Sequence, residues 1–303
     1  MDLVLQQTIN GVTIGAIYAL VALGYTMVYG IIRLINFAHG AVFMWGAYAG
    51  MFILTMLGGS KSVIGLAPLL ILLFIGPMLL CAIFGFAMDR IVYIRLRHRG
   101  AGALVPLIAA LGISLVLEIS AMLTWGKEFR VYPKFLQLSY FTWGRAVLSN
   151  MQIILIVVCL VMMVCLHLFV TYTRTGKAMR ATSLDHDAAR LVGVDVDRII
   201  TLTFVIGSAL AAVAGVLVGM YYGSVNFRMG YVAGLKAFSA AVLGGVGNIP
   251  GAMIGGFILG LIEAFGAGYI GGEWKDLIAF VILIGVIVFK PTGLLGERVA
   301  ERA

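Results

Sequence analysis

Long apolar runs alternate with short polar segments along almost the whole chain. A helix needs about 20 apolar residues to cross a bilayer, and most of these runs reach or approach that length. The runs cover residues 9–32, 41–57, 63–88, 101–124, 151–170, 199–222, 234–247, 252–269 and 277–289. None of them shows the period-two alternation of a membrane β-strand. The pattern therefore predicts an all-α, polytopic integral membrane protein with eight to nine transmembrane helices, some of them broken.

The choice between eight and nine spans depends on the short run at 234–247. Arginines crowd the loop at 89–100, which marks that loop as cytoplasmic, whereas the first ten residues contain neither lysine nor arginine. If the short run crosses, the chain has nine spans, with its N-terminus outside and its basic tail in the cytoplasm. If the run is only re-entrant, the chain has eight spans and one end changes sides.

A polar segment at residues 171–198, which we name the insert, separates two of the apolar runs. Ser183 or Asp185 can cap a short helix at 184–192, and Gly193 suits the left-handed position that ends it. Four apolar residues spaced three and four apart form one ridge if the helix extends back far enough: Ala181, Leu184, Ala188 and Leu191. The ridge predicts a docking surface, or equally a helix that folds back on the protein or lies among lipid headgroups.

The composition excludes several classes of protein. Of the 303 residues, 62% are hydrophobic and 11% are charged, whereas about 25% of a soluble domain is charged. A single membrane domain over residues 1–303 leaves no room for a nucleotide-binding domain, and no Walker motif occurs. The net charge of +8 arises in the short loops between runs, which positive cytoplasmic loops explain without nucleic acid. The three cysteines lie in apolar runs without paired spacing and predict neither a disulfide nor a metal site.

Polar or glycine positions near or inside the apolar runs are candidates for a passage through the membrane: Asn36, His39, Glu118, Gly244, Gly245 and Glu263. Intramembrane carboxylates are functional candidates by default. For Glu263, the sequence favours two interpretations equally. The side chain either has a role in the pathway or in an inter-helix hydrogen bond, or it is simply exposed at the membrane interface. For Glu118, a structural bond to Ser114 or Ser120 is slightly favoured.

The other four candidates lie where a helix is expected to break. Asn36 and His39 fall between two spans, where a broken helix can line a route, although a lone histidine is more often structural. Gly244 and Gly245, followed by Pro250, predict a break at membrane depth. Such a break is tolerated only where protein or a water-filled cavity covers the freed backbone groups.

Five motifs, met in order along the chain, carry a family resemblance. GKAMRATSLDHDAARLVGV at 176–194 resembles the coupling loop of ATP-binding-cassette (ABC) importer permeases, which presents a short helix to a cytoplasmic ATPase. The other four are INFAHG at 35–40, TFVIGSALAAVAGVLVG at 203–219, KAFSAAVLGGVGNIPGAMIGG at 236–256 and FKPTGLLG at 289–296. Together they resemble the LivH-type permease of the bacterial high-affinity branched-chain amino acid importer.

The resemblance implies a multi-pass permease of the bacterial inner membrane with no cofactor of its own, because ATP and magnesium would be on partner subunits. Those partners would be a homologous LivM-type permease, two cytoplasmic ATPases and a periplasmic binding protein that delivers leucine, isoleucine or valine. Residues implied at the ATPase contact are Arg180, Asp185, Ala188, Leu191 and Gly193, to which the ridge adds Ala181 and Leu184.

Three other functions are alternatives to a branched-chain amino acid permease. Related permeases carry urea or short amides, so the substrate is less specific than the family. An ion-driven secondary transporter would be expected to show a relay of intramembrane acids or two related halves, but we find two isolated acids and no obvious repeat. A membrane enzyme would need a clustered nucleophile, acid and base or a metal set, and the sequence suggests none.

Overall fold

The computed structural model describes residues 2–58, 65–102, 104–135, 139–144 and 146–296, and these are almost entirely helical. The helices are α1 (Asp2–Ile32), α2 (Ala38–Met56), α3 (Leu66–Met88), α4 (Ile94–His98), α5 (Leu104–Trp125), α6 (Asn150–Tyr172), α7 (Arg174–Leu184), α8 (His186–Leu191), α9 (Val196–Tyr222), α10 (Met229–Gly244), α11 (Ile249–Tyr269) and α12 (Lys275–Phe289). A π-helical turn, Asp89–Tyr93, joins α3 to α4, and one 3₁₀ turn, Gly272–Trp274, precedes α12.

Seven helices of the described chain are long and apolar enough to cross a membrane: α1, α2, α3 with its extension to His98, α5, α6, α9 and α11. The predicted fold class is therefore confirmed. Helices α10 and α12 have 16 and 15 residues. At 1.5 Å per residue they measure about 24 and 22 Å, less than the hydrocarbon core of about 30 Å.

The contacts of α10 favour the arrangement with nine passes. The turn from α10 to α11 lies against the end of α1, since Gly247 packs on Gly30. The same end of α1 contacts the insert, where His186 Nε2 lies 2.7 Å from the Ile31 carbonyl oxygen. The chain thus reaches the face that carries the insert, here named the insert face, at the end of α10. The start of α1 lies at the opposite end of the bundle.

Four short strands mark that opposite end, here named the outer face. Strand β1 (Arg130–Val131) pairs antiparallel with β4 (Ser224–Val225), which directly follows α9. Strand β2 (Tyr140–Trp143) pairs antiparallel with β3 (Ala146–Ser149). The part of the connection between α5 and α6 that contains β1 is thereby fixed to the end of α9 away from the insert.

Glycine allows the central helices to approach closely. In the most apolar part of α1, 89% of the residues are buried, whereas in that of α5 only 17% are. A side chain at Gly15 would overlap the backbone of Phe257, and one at Gly256 would overlap Ala19, so α1 and α11 pack backbone against backbone. This is the close approach by which membrane helices associate. Helices α3, α5 and α6 leave broad apolar faces exposed, as lipid contact requires.

The break predicted at Gly244 and Gly245 is present, but at the insert face and not at membrane depth. Helix α10 ends at Gly244, and Gly245 has φ +109°, a conformation that a side chain would strain. The C-terminal segment covers the freed carbonyls, because Leu294 N donates to Leu243 O at 2.8 Å and Leu295 N to Gly244 O at 2.9 Å. Protein therefore covers these backbone groups.

Candidate coupling surface and outer cavity

The insert folds as two short helices separated by Asp185. Its backbone is extended, with φ −157° and ψ 119°, and this ends α7 at Leu184. Its Oδ1 then accepts hydrogen bonds from Asp187 N at 2.9 Å and Ala188 N at 3.0 Å, which caps α8. The helix expected at 184–192 is thus His186–Leu191, and of the two caps considered it has Asp185. Gly193, at φ +85°, follows its end as expected.

The continuous ridge from Ala181 to Leu191 is wrong, because the helix breaks between its halves. Ala181 is half-buried on α7 and packs against the core. Leu184 ends α7 with its side chain exposed, and Ala188 and Leu191 are exposed on α8. Val192, which the spacing argument left out, follows Ala188 by four residues and is also exposed. We name Leu184, Ala188, Leu191 and Val192 the coupling patch.

Arg180 has a structural contact that its sequence position did not indicate. Its Nη1 donates to the carbonyls of Val170 and Thr171, each at 3.0 Å, at the end of α6. A guanidinium at this position donates hydrogen bonds to carbonyls that lack helical partners. Its positive charge also interacts favourably with the negative end of the helix dipole. Arg180 therefore holds α7 against α6.

The face of α8 opposite the coupling patch is attached to the core. Ala189 is buried, and His186 Nε2 lies 2.7 Å from the Ile31 carbonyl oxygen. Since a carbonyl only accepts, the imidazole Nε2 carries the proton in this contact. A displacement of α8 would therefore act directly on the end of α1, the most buried of the membrane helices. Sequence reasoning missed His186, whose only signal was a polar position facing away from the apolar ridge.

A second polar cluster fastens α9 to the π-helical turn. Arg97 Nη1 lies 2.7 Å from Asp89 Oδ1, and Arg97 Nη2 lies 3.1 Å from Asp197 Oδ1. The Thr201 hydroxyl donates to Asp89 Oδ2 at 2.6 Å. The Asp89 side chain is fully buried, so these partners are what make its charge tolerable. From the sequence, Arg97 indicated only a basic cytoplasmic loop.

Asn36 and His39 shape the turn between α1 and α2. Asn36 Oδ1 accepts from Ala38 N at 3.1 Å and from the Tyr93 hydroxyl at 3.3 Å. The His39 ring is buried and packs edge-on against Tyr25, with the ring centroids 4.7 Å apart. These contacts agree with a structural role for His39. Neither Asn36 nor His39 lines the outer cavity described below, and neither belongs to the coupling patch.

Glu118 lies apart from the other candidates, half-buried on the weakly packed helix α5. The bond considered from Ser120 is absent, because the Ser120 hydroxyl donates to the Leu117 carbonyl at 2.8 Å. Of the two candidate carboxylates, Glu263 is the buried one, with 3% of its surface exposed.

Glu263 is the centre of a buried charged cluster near the outer face. Its Oε1 lies 2.8 Å from Lys236 Nζ, and its Oε2 accepts from the Tyr18 hydroxyl at 2.8 Å. Lys236 Nζ also lies 2.6 Å from Asp276 Oδ1. The side chains of Lys236 and Glu263 are each 4% exposed, so interfacial exposure is wrong and an inter-helix bond is present. Lys236 was missed, because a lysine at the start of an apolar run looks interfacial in sequence.

This cluster, here named the charged cluster (Tyr18, Lys236, Glu263 and Asp276), lines a cavity of about 310 Å³. Ser224 and Asn226 also line it, which places the cavity toward the outer face. Tyr25 lies seven residues beyond Tyr18 along α1 toward the insert face, and its ring packs edge-on against Phe238, with centroids 6.1 Å apart. This aromatic pair lies on the insert-face side of the charged cluster.

Comparisons with known proteins find relatives along nearly the whole chain. Residues 7–287 match a family profile described as branched-chain amino acid transport system / permease component. The chain is 46% identical to the high-affinity branched-chain amino acid transport system permease protein BraD of Pseudomonas aeruginosa, covering 98% of this chain and 97% of that protein. It is 44% identical to LivH of Salmonella typhimurium and 43% identical to LivH of Escherichia coli, with the same coverage. No solved structure matches the chain.

Proposed function

The chain belongs to the family of permease components of branched-chain amino acid transport systems and is a multi-pass inner-membrane protein, and on that basis we propose its place in an ATP-driven importer. It would be one membrane-spanning subunit that carries leucine, isoleucine and valine from a periplasmic binding protein to the cytoplasm. A homologous permease subunit would complete the passage, and two cytoplasmic ATPases would supply the energy.

The coupling patch is the observation that carries this proposal. Leu184 is 79% exposed, Leu191 89% and Val192 77%, although all three lie on a polar insert outside the membrane helices. Large apolar side chains that lie exposed within a few residues of one another mark a site of contact with another protein or with the membrane. The buried side of the same short helix contacts the end of α1 through His186. A partner bound at the patch would therefore be mechanically connected to the core of the bundle.

The substrate assignment rests on the relatives. BraD and LivH, which are 43–46% identical over nearly the whole chain, are both described as permeases of high-affinity branched-chain amino acid transport systems. A urea or short-amide permease remains the second candidate from the sequence, but no feature of the described structure favours it.

Transport by the reconstituted complex tests the function. The chain is expressed with the permease, ATPase and binding-protein subunits of its own organism and placed in liposomes. Leucine should accumulate only when both ATP and the binding protein are present. Accumulation driven by a proton gradient alone would support a secondary transporter, and import of urea or acetamide in place of leucine would support the second candidate.

Leu191→Asp tests the assignment of the coupling patch in the same liposomes. A carboxylate at this position would have to be desolvated against the ATPase, so stimulated ATP hydrolysis and leucine uptake should both be lost. Expression and affinity for the binding protein should be unchanged, because Leu191 lies at the opposite face. Wild-type uptake by this variant would contradict the assignment.

A further inference from the structure

The outer cavity has both a charged wall and an apolar wall. The charged cluster forms one wall, and the aliphatic and aromatic side chains of Ile14, Ile17, Phe43, Val218, Met229 and Val232 form much of the remainder. Its volume of about 310 Å³ is at the small end of the range for small-molecule sites, which starts near 300 Å³. The cavity therefore suits a compact ligand with a charged end and an apolar end.

The charges of the cluster are not explained by stability alone. Lys236 and Glu263 are both taken out of water, and a buried ion pair commonly stabilises a fold no better than apolar residues of the same volume. The pair also has an additional acid, since Lys236 Nζ contacts both Glu263 and Asp276. Asp276 is partly exposed, with a side-chain accessibility of 46%, so a ligand entering from the outer face can reach it.

We propose that this cavity binds the substrate as an α-amino acid zwitterion during its passage, an inference that rests on the proposed function. Lys236 binds the α-carboxylate, Glu263 and Asp276 bind the α-ammonium, and the apolar wall receives the aliphatic side chain. Before the substrate arrives, Lys236 pairs with both acids, and Lys275, which also lines the cavity, brings the charges of the lining to two positive and two negative. The substrate replaces this pairing with an equivalent one, so no charge is left alone in the cavity.

This exchange selects for ligands that carry both charges. A branched aliphatic amine would pair with Glu263 but leave Lys236 with one fewer partner, and a branched carboxylate would do the reverse. Leaving a buried charge without its partner is strongly unfavourable. The geometry therefore favours the zwitterion over an amine or a carboxylate that carries the same aliphatic side chain.

A second cavity of about 330 Å³ at the outer face provides an internal comparison. Tyr132, Lys134 and Tyr221 are among its lining residues, and the described lining contains a lysine but no carboxylate. It has no group that could bind an α-ammonium through an ion pair. The proposal therefore assigns substrate to the cavity with the charged cluster and not to this one.

Photolabelling of the complete importer in liposomes tests the site. A leucine analogue that carries a diazirine in its side chain is supplied with the binding protein and ATP, and the adducts are mapped by mass spectrometry. Adducts are expected on the apolar wall, for example at Val232 or Ile17, and tenfold excess leucine should reduce them at least fivefold. The same excess of 3-methylbutylamine or 4-methylpentanoate should leave them unchanged. Adducts elsewhere, with none in this cavity, would overturn the proposal.

Glu263→Gln separates ligand binding from a structural role of the ion pair. If Glu263 binds the ammonium, the variant should lose at least tenfold in labelling by the analogue. Because the variant has lost one of the two acids that bind the ammonium, 4-methylpentanoate should now compete with the label more strongly than in the wild type, which a purely structural defect would not produce. Unchanged labelling, or reduced labelling with unchanged competition, would count against the assignment.

Lys236→Met is expected to reduce labelling likewise, and Lys134→Met, in the second cavity, is its matched control. Equal losses in both variants would contradict the site. Leucine uptake by the wild type, measured in the same liposomes, separates failure of the proposed site from failure of the proposed function. Leucine import without cavity adducts overturns the site and leaves the proposed function intact. Absence of ATP-dependent import by the wild type overturns the function as well.

Discussion

Truncation of Leu191 should weaken ATPase binding without weakening the permease itself. The side chain is 89% exposed, so in the isolated subunit it contributes little to stability, and Leu191→Ala should change the free energy of unfolding by no more than about 0.5 kcal/mol. Burial of a whole leucine side chain against a partner contributes about 1.5–3 kcal/mol. Since 1.4 kcal/mol corresponds to a tenfold change in Kd, the variant should bind the ATPase about 10- to 100-fold more weakly.

The assay measures the Kd of the purified ATPase for the permease pair in lipid nanodiscs, together with the thermal unfolding midpoint. Leu123→Ala is a matched control, because Leu123 is 78% exposed but lies on α5 away from the insert. Its Kd should equal that of the wild type. The reasoning is refuted if Leu191→Ala leaves the Kd within twofold of the wild type, or if Leu123→Ala weakens binding equally.

Three further substitutions test other parts of the structure. His186→Ala removes the contact with the Ile31 carbonyl, so the ATPase should still bind while ATP hydrolysis loses its coupling to leucine uptake; retained coupling would contradict the connection. Asp89→Asn breaks a buried ion pair and should cost about 3 kcal/mol of stability, lowering the thermal unfolding midpoint, whereas exposed Asp187→Asn should not. Gly15→Leu should prevent the contact of α1 with α11 and abolish folded protein on size-exclusion chromatography; a monodisperse wild-type profile would contradict that packing.

The sequence was sufficient where local rules decide the structure. Asp185 is a capping residue with free backbone donors two and three positions later, and Gly193 readily adopts the positive φ that follows a helix end. Both features depend only on neighbouring residues. The helical character of the apolar runs likewise follows from their length, but the sequence leaves eight or nine crossings open, and only the packing of the turn between α10 and α11 on the end of α1 favours nine.

Features that depend on packing between distant helices could not be read from the sequence. Lys236 meets Glu263 because α10 and α11 pack against each other around the turn near Gly245, and Asp276 joins them from a third helix. The contact between Arg97 and Asp197 joins residues one hundred positions apart. The ridge from Ala181 to Leu191 failed for a local reason, because the capping preference of Asp185 prevailed over continuation of the helix.

The central claim is that the coupling patch is covered by an ATPase. A photoreactive phenylalanine analogue placed at position 191 tests it in native membranes, where every other possible neighbour of the patch is also present. The account predicts a covalent adduct between this chain and the ATPase subunit that disappears when the ATPase is not expressed. Adducts only with lipid, or only within this chain, while the ATPase is present would contradict the claim.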